Sequence, residues 1–146
     1  MNEAISRGYN DNEQYAKLPS LSGTSPQELA EALRDILDQK KGRDIRVLFV
    51  ADKTPIADYF VLCTGTSTTQ IKGLTDELEY RTGLRGLPPL VIEGRGNGSW
   101  VLLDFGSVIV HIFSQQAREF YNLDKLYGHA EAENITETDT KAEETK

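Results

Sequence analysis

At 146 residues and a formal charge of −7, the chain is one domain long and able to bury a real core. The charge is uneven: residues 130–146 carry six acids against two lysines, residues 1–24 three acids against Arg7 and Lys17, and residues 25–128 fourteen acids against twelve bases. A segment so near neutrality lacks the basic footprint of non-specific nucleic-acid binding, and no apolar run approaches the length of a membrane span.

Residues Met1 to Thr24 are polar with scattered Gly, Asn and Ser, and read as a flexible extension. They contain no apolar leader and are too acidic and Arg-poor for an organelle transit peptide. Cys63 stands alone inside an apolar run, so it forms no internal disulfide, which fits a reducing compartment and a cytoplasmic protein.

Order is expected from Ser25. Ser25-Pro26-Gln27-Glu28 is a capping box with proline at the first helical position. Leu29, Leu33, Ile36 and Leu37 then recur at helical spacing until Gly42 stops the helix. Asp44 to Ala51 reads as a strand, Asp52 to Pro55 as a turn and Ile56 to Thr64 as a second strand. Ser67 and Gln70 cap a second helix carrying Ile71, Leu74 and Leu78 as far as Gly83. Leu90 to Glu93 is a short strand, followed by the glycine-rich turn Gly94 to Gly98.

Two apolar runs, Trp100 to Leu103 and Val108 to Phe113, flank Asp104 to Ser107 and are expected to pair as a hairpin. With Phe105 and Gly106 as the loop, Trp100 would face His111 and Leu102 would face Ile109. Alternation places Trp100, Leu102, Asp104, Ile109, His111 and Phe113 on one face and Val101, Leu103, Val108, Val110 and Ile112 on the other. The second face is ordinary core. The first suits contact with another protein, and it also fits a core face with Trp100 at its edge. A last helix holds Arg118, Phe120, Tyr121 and Leu123. The order α-β-β-α-β-β-β-α implies a single α+β domain over residues 25–128, a mixed sheet with packed helices. Residues 129–146 form an acidic, disordered tail by composition.

No enzymatic constellation assembles from these residues. Asp104-Phe105-Gly106 spells the kinase metal-binding tripeptide without any other kinase motif. Gly94, Gly96 and Gly98 lack dinucleotide-fingerprint spacing and do not open a helix. Gly65-Thr66-Ser67 is a plausible anion corner at a helix start. A nucleotidyltransferase would add two metal-binding carboxylates on the next strand, where only Glu93 stands, with Asp76, Glu77 and Glu79 on the helix. His111 and Asp104 lack a supported nucleophile, and His111, His129 and Cys63 are too few for a zinc site. No cofactor or metal is implied.

Asp58-Tyr59-Phe60, Gly65-Thr66-Ser67, Glu93-Gly94, Trp100, Asp104, Val110-His111-x-Phe113, Arg118-x-x-Tyr121 and Leu123-Asp124-x-Leu126-Tyr127 stand in the order and spacing of the ribosomal silencing factor family, also called Iojap or RsfS. The resemblance spans Ser25 to Gly128 and leaves both tails outside. It implies a non-enzymatic translational repressor that binds ribosomal protein fourteen of the large subunit and blocks the small subunit from joining when nutrients are scarce. It also implies a nucleotidyltransferase-like fold without the catalytic carboxylates, possible homodimers, and no membrane or sequence-specific nucleic-acid partner. Family positions of a hairpin tryptophan and a following carboxylate map to Trp100 and Asp104. With Leu102, His111 and Tyr127 these are the expected partner-binding residues. Where the family commonly ends Leu-Glu-x-Leu-Trp, this chain has Leu-Asp-x-Leu-Tyr, and Tyr127 keeps the aromatic bulk. The competing functions are a nucleotide-binding enzyme using the Gly65 corner and a dimeric scaffold.

Overall fold

A computed structural model describes residues 18–128; the expected flexible segment before residue 18 and the acidic tail lie outside the described residues. Helix α1 (Pro26–Gln39) opens with the full capping box: the Ser25 hydroxyl accepts from the Glu28 amide and the Glu28 carboxylate accepts from the Ser25 amide. Strands β1 (Arg43–Phe49) and β2 (Tyr59–Gly65) follow, then helix α2 (Thr68–Leu84) capped by Ser67. Strands β3 (Val91–Glu93), β4 (Trp100–Asp104) and β5 (Val108–Ser114) lead into helix α3 (Gln115–Tyr121). Asn122, in the left-handed region at φ 54°, ends α3, and residues 123–128 form a further helical stretch.

The five strands make one mixed sheet in the order β1-β2-β5-β4-β3. Only β2 and β5 run parallel; the other pairs are antiparallel. Helices α1 and α2 cover one face, where Leu33, Leu37, Leu74 and Leu78 meet Val61, Leu103, Val110 and Ile112. On the other face α3 and residues 123–128 lie over a smaller core that includes Leu48, Phe60, Leu62, Ile109 and Phe113. The expected α+β domain and its order of elements are therefore present.

Four points differ from expectation, one being that Leu123, expected on the last helix, lies beyond its end at Asn122. The hairpin register is two residues off: Trp100 faces Phe113, Leu102 faces His111, and Asp104 faces Ile109. The loop is Gly106-Ser107, because Phe105 donates its amide to Val108 and buries its ring in the first core. Gly106 takes φ 93°, as the first central residue of such a tight hairpin requires, and its amide donates to Asp104 Oδ1 at 2.8 Å. A slip of two preserves both faces, so the two sets of side chains stand as read from alternation. Strand β2 begins at Tyr59 instead of Ile56, which is exposed. Order also begins before Ser25: Leu21 is buried against α1, and its amide donates to the Arg85 carbonyl.

Arg118 joins the C-terminal segment to the sheet. Its guanidinium donates to both Asp124 oxygens at 2.8 Å, and Nη1 donates to the Asp44 carbonyl and the Thr64 hydroxyl. Asp44 sits at φ 49° in the irregularity between Arg43 and Arg46, which accounts for a strand carbonyl free to accept there. Arg46 completes the cluster with a 2.7 Å bond to Asp124. Burial pushes the Asp124 carboxyl up, but the hydrogen bonds and charges of Arg118 and Arg46 outweigh it and hold the group below the usual range. Replacing Arg118 by leucine leaves Asp124 and Thr64 short of partners, and is expected to cost about 3 kcal/mol in urea unfolding. A loss below about 1 kcal/mol would show that the cluster behaves like a surface ion pair.

Candidate functional site

The two ends of β4 frame the site. Its side chains alternate between the fully covered face (Val101, Leu103) and the smaller core's face (Trp100, Leu102, Asp104), and all three on the latter are only half-buried. On the neighbouring strand Ile109, His111 and Phe113 are buried. The C-terminal helical segments thus cover the β1, β2 and β5 side of this face and leave the β4 stripe half open. The face divides by strand: β5 contributes core, and β4 contributes accessible surface.

Trp100 is surrounded by rings, with centroids 4.5 Å from Tyr121, 5.7 Å from Phe113 and 5.8 Å from His111. Phe120 stacks edge-on to Tyr121 at 4.9 Å and is 78% exposed. Phe120, Tyr121 and Trp100 therefore make one continuous aromatic surface across α3 and β4. Periodicity did not mark Phe120 and Tyr121 as part of the site; a pair of adjacent aromatics on a short, otherwise polar helix is the signal that could have.

The remaining expected site residues are placed as follows. Leu102 packs half-covered beside Trp100 on the same core. At the far end of the stripe, Asp104 caps the turn through Oδ1, and among the described residues its Oδ2 takes no bond. Tyr127 meets the Phe60 ring edge-on at 4.9 Å and lies at the border of the covered half. His111 does not reach the surface: it is 5% exposed, and its Nδ1 accepts from Trp100 Nε1 at 3.1 Å. Its part in the face is to support Trp100 from below.

The Gly65 corner forms a crevice of about 420 Å³ whose walls include Arg43, Asp44, Ser67 and Ser114. The polar groups of Thr66, Ser67 and Gln70 are engaged locally. The Thr66 amide and hydroxyl both donate to Gln70 Oε1, the Ser67 hydroxyl accepts the Gln70 amide, and Gln70 Nε2 reaches the Lys41 carbonyl. Gly65 is required by close packing, since a Cβ there would strike the Ile71 side chain. Among the described residues no group of three or more His, Cys, Asp or Glu side chains could hold a metal ion. Burial pushes the Cys63 thiol up to about 12, which leaves it protonated and unreactive at neutral pH.

A small α+β domain with a half-covered aromatic stripe is thus what the described residues present. The sequence profile described as "Ribosomal silencing factor during starvation" matches residues 23–146. Similar proteins include the ribosomal silencing factor RsfS of Halalkalibacterium halodurans, 36% identical over 73% of this chain and 91% of that protein. That of Bacillus subtilis is 37% identical over 64% and 79% respectively. A crystal structure of a Chromobacterium violaceum protein superposes with a TM-score of 0.69 at 30% identity, covering 72% of this chain and 88% of that one. The chain belongs to the ribosomal silencing factor (RsfS/Iojap) family. The profile match runs past Gly128 to residue 146, further than the motifs reached. None of the described helices is long and apolar enough to cross a membrane.

Burial pushes His111 from 6.5 down to about 4. Between those values the unfolded chain takes up a proton that the folded domain refuses, so stability falls as pH falls through this window and is complete above about 6.5. The expected loss is on the order of 3 kcal/mol, read by urea unfolding across the window. Asp124 adds its own loss only below its ordinary 3.8. In a His111→Leu chain the upper part of the slope should vanish; a slope that survives there belongs to another group.

Proposed function

We propose that this protein is a cytoplasmic translational repressor that binds the large ribosomal subunit through its ribosomal protein fourteen and sterically blocks the small subunit from joining, lowering translation when nutrients are limiting. The observation that carries the reading is the half-open β4 stripe with its aromatic extension, in a chain of the ribosomal silencing factor family. Aromatic anchors carry a disproportionate share of interface energy, and this surface sets Trp100, Tyr121 and Phe120 together at one end of a stripe whose other end carries an available carboxylate. The role needs no catalysis, in keeping with a corner at Gly65 whose polar groups serve the helix cap. When free of the ribosome the same stripe offers a surface for homodimer formation.

Co-sedimentation with purified large subunits, followed by a subunit-joining assay, tests the reading directly. A chain that neither migrates with the large subunit nor inhibits joining would overturn it. Trp100→Ala is expected to weaken large-subunit binding by about 2 kcal/mol or more while the domain still melts cooperatively. Normal binding by that variant would move the docking face elsewhere.

Asp104 is assigned an electrostatic part, with Oδ2 meeting a cationic group on the ribosomal protein. Asp104→Asn keeps an oxygen able to cap the Gly106 amide but removes the charge. Binding should become weaker and less dependent on salt, since screening then has one pair fewer to act on. An unchanged salt slope would confine Asp104 to shaping the turn.

A further inference from the structure

His111 is a buried polar side chain set among the apolar residues of the smaller core, flanked by Phe60, Leu62, Ile109 and Phe113. An indole N–H can only donate, so the bond from Trp100 makes Nδ1 the bare nitrogen and leaves the imidazole proton on Nε2. Among the described residues that Nε2 is buried and has no hydrogen-bond partner. The two nitrogens act oppositely on stability. A buried N–H without an acceptor carries a desolvation cost, whereas the bond at Nδ1 contributes little to folding because a half-buried indole exchanges water for imidazole. For folding alone, an apolar side chain of similar size would serve position 111 at least as well.

What the histidine adds is direction. The ring contacts of Trp100 with Phe113 and Tyr121 are tilted and largely apolar, and such contacts hold a ring against the sheet without choosing which edge turns inward. The bond to Nδ1 makes that choice, because it turns the N–H edge toward β5. It also satisfies the indole donor before any partner arrives, so docking over the ring need not supply an acceptor. Both effects reduce what binding must spend on ordering and desolvation.

We propose that His111 is a positioning residue of the docking face: its Nδ1 holds the Trp100 indole in the orientation a partner meets, at some cost to the stability of the fold. The proposal rests on the docking reading above for its use, though not for its geometry.

Trp100 is the only tryptophan in the chain, so one indole N–H resonance reports this side chain with no partner present. His111→Leu is expected to melt at the same temperature as the wild type or higher, to shift that resonance and speed its exchange with solvent, and to bind large subunits roughly five-fold more weakly. His111→Asn places a side-chain oxygen near the position of Nδ1 and should restore most of the resonance position and the binding. In a Trp100→Phe chain, which has no indole N–H to hold, adding His111→Leu should change binding less than about two-fold. The proposal is overturned if His111→Leu fails to fold or melts lower, or if it leaves the indole resonance and the binding unchanged. It is overturned equally if the His111→Leu loss persists undiminished in the Trp100→Phe chain. A wild-type chain that does not bind large subunits overturns the docking reading instead, and the indole resonance then still decides whether His111 sets the ring.

Discussion

Four hydrogen bonds from one guanidinium decide how the second face of this sheet is closed. Arg118 reaches forward to Asp124 along its own chain and across to Thr64 and the Asp44 carbonyl on β2 and β1. The fork is planar and bidentate toward the carboxylate, so it sets the angle at which residues 123–128 leave α3 as well as their distance from the sheet. Leu123 and Tyr127, four apart on that stretch, then pack on the smaller core, while Leu126 is left exposed. The open stripe on β4 is the complement of this arrangement. It is the part of the face that a short C-terminal segment, pinned at Arg118, does not cover.

The sequence was most legible where structure is local. Ser25 and Ser67 announce their helices because a capping side chain bonds within its own first turn. The two faces of the hairpin could be read because alternation survives a register slip of two residues. The slip itself could not be foreseen. It depends on Phe105 having a place in the first core, and that place is made by helices distant in sequence. The same limit applies to Leu21, whose burial requires the far end of α2, and to Tyr121, whose contact with Trp100 requires α3 to fold back over β5 beside β4. His111 was legible as a member of the face but not as a buried one, because burial there is decided by the cover that Arg118 holds down.

The Gly65 corner shows how a strand, a glycine and a capped helix can look like a phosphate site and yet commit part of their donors to the fold. Gln70 accounts for the difference. Its side chain takes up the Thr66 amide and hydroxyl and passes on to the Lys41 carbonyl, tying the start of α2 to the chain just after α1. A glutamine one turn into a helix thus makes this corner a brace between two elements.

The single parallel pairing, β2 with β5, has a consequence for how the chain is made. β5 lies at the centre of the sheet, yet among the described residues it is the last strand in the chain, and its partner Tyr59–Gly65 precedes it by about a third of the chain's length. A nascent chain ending before Val108 has β1 and β2 joined on one side and β3 and β4 on the other, with no strand between them and two apolar edges unpaired. Non-local pairings of this kind form slowly, and their open edges invite association with other chains. A chain with this topology therefore cannot complete its sheet until Val108–Ser114 has been made, and up to that point its four earlier strands have no common partner to join them.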